Sequence, residues 1–287
     1  MDLKNISSQT GKLGIIGWPL AHTASPRLHN AAFSALGLDF LYLCLPVEPD
    51  NIAAAANALK ALSFTGANVT IPHKVSIMPF LDSLSESAQM AGAVNTIVIK
   101  DGKSIGYNTD LDGFAHSLLK ENVEISGKKT VVLGAGGACR AVVAAFLKYG
   151  AQSAAILARD AHKAKETAAL FPSFSKTPVT GTAWNAADCL KIWQEADLVV
   201  NTTPLGMMPD CDAAPPVAWD ELKRGAVLAD VIYTPRLTKF LKCAQERGHK
   251  TIGGEGMLLG QAMAAFKLWT GQDAPAEVML NALQGGS

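Results

Sequence analysis

A glycine-rich turn near the middle of the chain has the form of a dinucleotide site. It stands at 134–137, between a predicted strand at Lys129–Leu133 and a predicted helix at 138–149. Glycines in such a turn let the backbone approach a pyrophosphate, and the helix start offers unpaired N–H groups and a positive dipole end. The third glycine of the usual G-x-G-x-x-G pattern would fall at Cys139, so the match is incomplete. The strand, turn and helix together still predict a bound dinucleotide.

The end of the next predicted strand, 154–158, indicates which nicotinamide cofactor fits. Arg159 follows this strand and Lys163 comes one turn later. They favour NADP, because its 2′-phosphate binds a bidentate guanidinium and a second cation. Asp160 favours NAD, since an acidic residue at this point binds the ribose 2′-OH. The alternative interpretation is that Arg159 and Lys163 are ordinary surface charges.

A second set of polar residues lies in the first half of the chain. Asn68 and Thr70 alternate at the end of a predicted strand, and Lys74 follows on the turn after Pro72. Lysine is one of the side chains that can act as a general acid or base in catalysis. An isolated lysine, however, is more often a solvated surface charge. From the residues alone, a catalytic and a surface role for Lys74 both stay open.

The predicted elements that would position these residues are strands and helices that alternate along the chain. Asp101 and Gly102 lie between two short strands and predict a hairpin, and Ser25 before Pro26 predicts a helix cap. The alternation predicts a parallel sheet with helices on both faces. The predicted strands are 13–17, 40–47, 66–70, 94–99, 104–107, 129–133, 154–158, 198–201 and 227–231, and the predicted helices are 26–36, 48–62, 138–149, 161–170, 255–270 and 275–283.

The composition excludes several classes of protein. The chain has 287 residues, of which 49% are apolar and 17% charged, so it is long enough for two globular domains and too apolar to be disordered. Its net charge of zero argues against a nucleic-acid partner. Five cysteines without a CxxC pair, and six histidines without metal spacing, predict reduced thiols and no metal. A polar start without a signal peptide and no membrane-spanning stretch predict a cytoplasmic protein without a membrane partner.

The motifs taken together resemble those of the shikimate dehydrogenase family. They occur in the order of the family: the hydroxyl-bearing loop at 22–26, N-V-T-x-P-x-K at 68–74, G-A-V-N-T at 92–96, N-T-D-x-x-G at 108–113, G-A-G-G-A-x-R at 134–140, N-x-T-P-x-G-M at 201–207 and G-x-G-M-L-x-x-Q at 254–261. The resemblance runs from about residue 13 to about residue 283, which is nearly the whole chain.

The resemblance implies an activity and its catalytic residues. Members of the family reduce 3-dehydroshikimate to shikimate reversibly with NADPH, on the route to chorismate and the aromatic amino acids. Lys74 matches the family's acid/base lysine, and Asp110 matches its carboxylate partner. A neighbouring carboxylate would hold the lysine ammonium in place and raise the lysine pKa, whereas burial would lower this pKa.

The resemblance also implies the residues that bind the substrate and the cofactor. Neutral amides and hydroxyls suit a polyol acid, because they donate or accept hydrogen bonds without burying a charge. Thr23 stands where the family has the first of two serines that hold the substrate carboxylate, and Ser25 keeps the second. The other substrate residues would be Asn68, Thr70, Asn95, Tyr233 and Gln261. The NADP residues would be Gly134, Ala135, Gly136, Gly137, Ala138, Arg159, Lys163, Thr202, Met207 and Gly254. The alternative for Met207 is a place in the hydrophobic core, where methionines are more commonly found.

The fold that the resemblance implies is α/β with two domains. A substrate-binding catalytic domain would comprise 1–112 and 254–287, because the C-terminal helices return to it. A Rossmann-like NADP-binding domain would comprise 113–253, and the protein would be a monomer or a homodimer. One alternative is a broader quinate/shikimate dehydrogenase that uses NAD or NADP, which Thr23 and Asp160 keep open. Another is an NADP-binding regulatory protein without turnover, against which the presence of both Lys74 and Asp110 argues.

Overall fold

The chain folds into two compact α/β units. A computed structural model describes residues 6–20, 23–171, 177–185 and 189–285. The first unit comprises Met1–Thr109 with Leu259–Ser287, and the second comprises Asp110–Leu258. The described residues form one six-stranded sheet in each unit. His22, the first residue of the predicted hydroxyl-bearing loop, lies outside the described residues.

The first unit contains a mixed sheet. Its strands follow the order β2-β1-β3-β5-β6-β4, in which β1, β2 and β3 run parallel and β5 runs antiparallel to both of its neighbours. Its strands are β1 (Gly11–Gly17), β2 (Phe40–Pro46), β3 (Gly66–Val69), β4 (Ser83–Leu84), β5 (Thr96–Lys100) and β6 (Lys103–Tyr107). Its helices before residue 110 are α1 (Ser25–Ala35), α2 (Ile52–Ala61) and α3 (Glu86–Ala91).

Two local predictions in this unit have different outcomes. The hairpin is confirmed: Asp101 and Gly102 join β5 to β6 with φ values of 52° and 74°, the positive values that the tight hairpin turn requires. The predicted cap is wrong, because α1 begins at Ser25 itself and Ala24 is the capping residue. Thr23 assists there instead, since its Oγ1 accepts a hydrogen bond from the backbone N–H of Ser25 at 3.3 Å.

The C-terminal helices belong to the first unit, as predicted. They are α9 (Glu255–Thr270), in which the boundary between the units falls, and α10 (Ala276–Gln284). Phe266 stacks on Phe33 of α1 with ring centroids 5.1 Å apart. The indole N–H of Trp269 donates to the Ile97 carbonyl of β5 at 2.9 Å. These contacts close one face of the sheet with a core of aromatic and aliphatic side chains.

The second unit contains a parallel sheet of Rossmann-like topology. Its order is β12-β11-β10-β7-β8-β9, with every pair parallel. This confirms the alternation of strands and helices that the sequence predicts. The strands are β7 (Lys129–Leu133), β8 (Ser153–Ala158), β9 (Val179–Ala183), β10 (Leu198–Asn201), β11 (Val227–Asp230) and β12 (Lys250–Ile252). The helices are α4 (Asp110–Lys120), α5 (Gly137–Lys148), α6 (Ala161–Ala168), α7 (Cys189–Glu195) and α8 (Lys239–Glu246).

The hydrophobic residues of β7, β8, β10 and β11 are buried, except for the partly buried Val227 at the start of β11. Parallel strands covered on both faces have this continuous apolar character. No helix within the described ranges has the length and apolar character needed to cross a membrane.

Candidate active site

The glycine turn has the shape that a pyrophosphate site needs. Gly134 follows β7 with a φ of +108°, and α5 begins at Gly137. A Cβ atom on Gly134 would lie 3.0 Å from Thr202 Oγ1, so this position admits only glycine. A Cβ atom on Gly136 would meet no other atom of the described residues within 4 Å. The space above Gly136 at the start of α5 therefore suits a phosphate bound by backbone N–H groups.

Cys139 explains why the third glycine of the motif is dispensable. In dinucleotide folds that glycine allows close packing of the helix on the sheet. Cys139 is fully buried, and burial raises the pKa of its thiol to about 12. Its small side chain thus acts as an apolar packing group in the same place.

The two cofactor motifs meet at the switch point of the parallel sheet. Because β7 lies between β8 and β10, the chain winds in opposite directions from β7, and the carboxyl ends of such strands form a ligand crevice. Thr202, directly after β10, donates from its backbone N–H and its hydroxyl to the Leu133 carbonyl at 2.9 and 2.8 Å. The loop that begins at Asn201 therefore starts beside the glycine turn.

A buried carboxylate organises this loop. Asn201 Nδ2 donates to both oxygens of Asp230 at 3.2 Å, and Thr238 Oγ1 donates to Asp230 at 2.7 Å. Asn201 Oδ1 accepts from the backbone N–H and the hydroxyl of Thr203 at 3.0 and 2.7 Å. Burial raises the pKa of the Asp230 carboxyl to about 6, against the hydrogen bonds from Ile232, Thr238 and Asn201 that lower it. Asp230 and Thr238 were missed at the sequence level, because nothing in their spacing connects them to the loop.

The charged residues after β8 have different roles. Arg159 and Lys163 are exposed at the start of α6. Asp160 is the N-cap of this helix, and its Oδ1 accepts from the backbone N–H groups of His162 at 2.9 Å and Lys163 at 3.3 Å. The carboxylate that would favour NAD is thus already engaged by the helix, whereas the Arg159 guanidinium is exposed to solvent.

Three further residues of the predicted set lie at the same edge of the second unit's sheet or pack against it. Met207 is 45% exposed, so it is not a core methionine. Tyr233 follows β11, and burial raises the pKa of its phenol. Gly254 donates its N–H to the Ile232 carbonyl at 3.1 Å, and a Cβ atom there would collide with the backbone of Val231. Gly254 thus has a packing role, and its predicted contact with the cofactor stays a prediction.

The first unit brings Asn68 and Asn95 into one buried hydrogen-bond network. Asn68 is 5% exposed, and its Nδ2 donates to the Asn95 carbonyl at 3.1 Å and to Thr96 Oγ1 at 3.0 Å. Asn95 Oδ1 accepts from the Thr109 N–H at 2.8 Å, and its Nδ2 donates to Thr109 Oγ1 at 3.0 Å. The two amides therefore hold each other and the two threonines in fixed orientations, with no charged group among them.

The same network extends to Tyr42 on β2. Tyr42 is buried and donates its hydroxyl hydrogen to Asn68 Oδ1 at 2.6 Å. Burial raises the pKa of this phenol, and the Ser25 side chain at the start of α1 acts in the opposite direction. The sequence motifs contain Thr96 and Thr109 but give them no role, and Tyr42 lies outside every motif.

Lys74 lies in the turn that follows β3. Its carbonyl accepts from the Val94 N–H at 2.7 Å, which ties this turn to the segment that carries Asn95. Beside it, His73 is buried and its Nε2 donates to the Val47 carbonyl at 2.7 Å, so His73 anchors the turn. Lys74 itself is half-buried. The turn therefore places the half-buried Lys74 beside the segment that leads into Asn95.

The remaining predicted residues lie after β3, on α9 and at the start of α4. Thr70 follows β3, and its N–H donates to the Ile16 carbonyl of β1 at 2.8 Å. Gln261 is half-buried on the part of α9 that belongs to the first unit. Asp110 is the buried first residue of α4, directly after Thr109, where the helix dipole favours a carboxylate. No group of three or more His, Cys, Asp or Glu within the described ranges could hold a metal ion.

The fold and the site define a dinucleotide-binding α/β protein whose other unit holds a buried neutral polar network beside a lysine. A family model described as the shikimate dehydrogenase substrate binding domain matches residues 15–97. A second, described as the shikimate 5′-dehydrogenase C-terminal domain, matches residues 254–284. A shikimate dehydrogenase (NADP(+)) of Carboxydothermus hydrogenoformans is 46% identical over 97% of this chain and 98% of its own.

Solved structures agree with these matches. A crystal structure of a shikimate dehydrogenase in complex with NADP+ has a TM-score of 0.89 and 40% identity, covering 98% of this chain and 96% of its own. A quinate dehydrogenase from Corynebacterium glutamicum in complex with NAD has a TM-score of 0.86 and 30% identity, covering 96% and 99%. The chain belongs to the shikimate dehydrogenase family. The predicted fold class and the resemblance are thereby confirmed.

Proposed function

We propose that this chain catalyses the NADP-dependent interconversion of 3-dehydroshikimate and shikimate. The observation that carries the proposal is the buried neutral network through Asn68, Asn95, Thr96 and Thr109 beside Lys74. A cyclohexene polyol presents several hydroxyl groups that need paired donors and acceptors, and amides and hydroxyls supply both. The two units would then be a substrate-binding and an NADP-binding domain, with predicted boundaries after residue 112 and before residue 254.

The chemistry divides between the cofactor and the protein. NADPH, when bound, supplies the hydride that reduces the ring ketone. Lys74 donates a proton to the alkoxide oxygen as the carbonyl carbon gains the hydride, and it takes the proton back in the reverse direction. Asp110 holds the ammonium and accepts a hydrogen bond from a substrate hydroxyl. Asn95 and Gln261 bind ring hydroxyls, and Ser25 with Thr23 binds the carboxylate.

The second unit has groups that fit NADP. The N–H groups at the start of α5 above Gly136 would bind the pyrophosphate, and the exposed Arg159 and Lys163 would bind the 2′-phosphate. Asp160 is engaged as a helix cap, which supports NADP over NAD. Thr202 and Met207 would lie by the nicotinamide. A monomeric or homodimeric state and a cytoplasmic location stay predictions.

A second candidate function is a broader quinate/shikimate dehydrogenase. The relative named as a quinate dehydrogenase in complex with NAD favours it, since the two chains match over nearly their whole lengths. The test follows the absorbance of reduced nicotinamide during oxidation of shikimate and of quinate, each with NADP and with NAD. Turnover of shikimate with NADP alone supports the main proposal, whereas turnover of quinate or a preference for NAD supports the second.

A further inference from the structure

Tyr42 is joined by its side chain to Asn68, a predicted substrate residue that is 26 residues away in the sequence. The phenol hydroxyl donates to Asn68 Oδ1 at 2.6 Å. The side chain of Ser25, another predicted substrate residue, opposes the rise that burial causes in the pKa of this phenol.

The other hydrogen bonds of Asn68 show what the bond from Tyr42 determines. Both N–H groups of its amide are engaged, one by the Asn95 carbonyl and one by Thr96 Oγ1. A carboxamide oxygen accepts two hydrogen bonds, and Tyr42 occupies one of them. What Asn68 offers a substrate is therefore an acceptor for a hydroxyl group. The direction of that acceptor is set by the bond from Tyr42.

The ring of Tyr42 is itself held in place by buried aromatic groups. The His29 imidazole stacks on it with centroids 4.5 Å apart and an interplanar angle of 16°. Trp269 meets His29 edge-on, with centroids 5.3 Å apart. His29 is fully buried, burial lowers its pKa to about 3, and neither ring nitrogen has a hydrogen-bond partner among the described residues. It therefore packs as a neutral ring.

Ser25 and His29 are one helical turn apart, so both lie on the face of α1 that packs against Tyr42. The helix that carries Ser25 is thereby fixed to the Tyr42 ring. A polar hydroxyl buried in an aromatic cluster needs a partner, and Asn68 supplies it.

We propose that Tyr42 is a positioning residue of the substrate site, whose hydroxyl orients the Asn68 carbonyl oxygen to accept a hydrogen bond from a substrate hydroxyl. This rests on the proposed function, because it takes Asn68 as a substrate contact.

The test is Tyr42→Phe, which removes one oxygen and keeps the ring stacked on His29. Tyr149→Phe is the matched control, because its phenol binds Asp112 at 3.2 Å in the second unit. We expect Tyr42→Phe to raise the KM for shikimate about tenfold, the equivalent of one lost hydrogen bond, and to leave the KM for NADP within about twofold. Tyr149→Phe should leave the KM for shikimate unchanged.

A purely structural role would give a different result, with the KM values for both ligands and the thermal midpoint moving together. A double variant tests whether the effect passes through Asn68. In an Asn68→Ala background, Tyr42→Phe should cause no further rise in the KM for shikimate, because the acceptor that Tyr42 orients is gone.

The wild-type protein in the same assay separates the two proposals. A wild type that oxidises shikimate, with an unchanged KM for shikimate in Tyr42→Phe, would overturn the role of Tyr42 and leave the proposed function standing. A wild type inert towards shikimate would overturn both.

Discussion

Asn201 and Asp230, at the ends of adjacent parallel strands, form a buried pair in which the amide donates to both carboxylate oxygens at 3.2 Å. The same amide oxygen holds Thr203, so the carboxylate fixes the course of the loop towards Met207. Thr238 caps α8 with the hydroxyl that also donates to Asp230. One carboxylate thus ties the loop after β10 to the helix after β11.

The burial of Asp230 in this pair leads to a prediction of how the free energy of unfolding depends on pH. Burial raises the pKa of Asp230 from its ordinary value of 3.8 to about 6, so the folded protein holds this proton more tightly than the unfolded chain. Its contribution to stability is therefore complete below about pH 4 and is lost as the pH rises through about 6. The difference between the two values corresponds to about 3 kcal/mol at neutral pH.

Asp230→Asn tests this dependence. Asparagine does not titrate, so the free energy of unfolding of the wild type should fall relative to the variant as the pH is raised from 4 to 7, by up to about 3 kcal/mol. Denaturant unfolding at several pH values gives both curves. If the difference between wild type and variant stays constant across this range, Asp230 does not carry a raised pKa.

Substitution by alanine should have different consequences at Gly134 and at Gly136, two glycines of the same turn. Gly134→Ala places a side chain at a φ of +108° against Thr202, so it should destabilise the protein by more than about 1 kcal/mol. Gly136→Ala meets open space and a φ of −97°, so it should leave the thermal midpoint nearly unchanged. Its methyl group would occupy the space proposed for the pyrophosphate, and the Kd for NADP should rise at least tenfold.

Thermal unfolding and NADP titration of both glycine variants check this pair. Unchanged NADP affinity in Gly136→Ala would show that the cofactor does not lie over this turn.

The position of Asp160 leads to a prediction about the preference between NADP and NAD. Asp160→Thr keeps a side-chain oxygen for the helix cap and removes a negative charge next to Arg159. We expect the kcat/KM for NADP to rise severalfold, with the value for NAD little changed, because the 2′-phosphate no longer meets a carboxylate. Asp160→Ala is the control for the cap, and it should cost about 1 kcal/mol of stability. A loss of NAD-linked activity in Asp160→Thr would mean that the carboxylate binds the ribose of NAD instead.

The sequence predicts the second unit better than the details of the site. The strands β7, β8, β10 and β11 have continuous apolar runs bounded by turns, and such runs are readable without a structure. By contrast, β9 is half-exposed and β12 has three residues, so neither shows a pattern. Their positions are set by packing on α6 and α8.

The residues of the candidate site also differ in whether the sequence could predict them. Motif residues such as Asn68 and Asn95 are visible in the sequence because their types and order match a family. Tyr42 and Asp230 come from apolar strands, and their roles depend on partners that are 26 and 29 residues away. Only the pairing of the strands brings these groups together, so spacing along the chain could not indicate them.

The most direct test of the account measures oxidation of shikimate with NADP by the wild type and by Lys74→Met, each with its NADP affinity determined separately. Methionine keeps an unbranched, apolar side chain that extends as far as the lysine Cε, and it removes the ammonium. We predict rapid turnover by the wild type, a kcat lower by at least about a hundredfold in the variant, and an NADP Kd within about twofold. Normal turnover by Lys74→Met would contradict the assignment of the acid/base residue, and an inert wild type would contradict the proposed reaction.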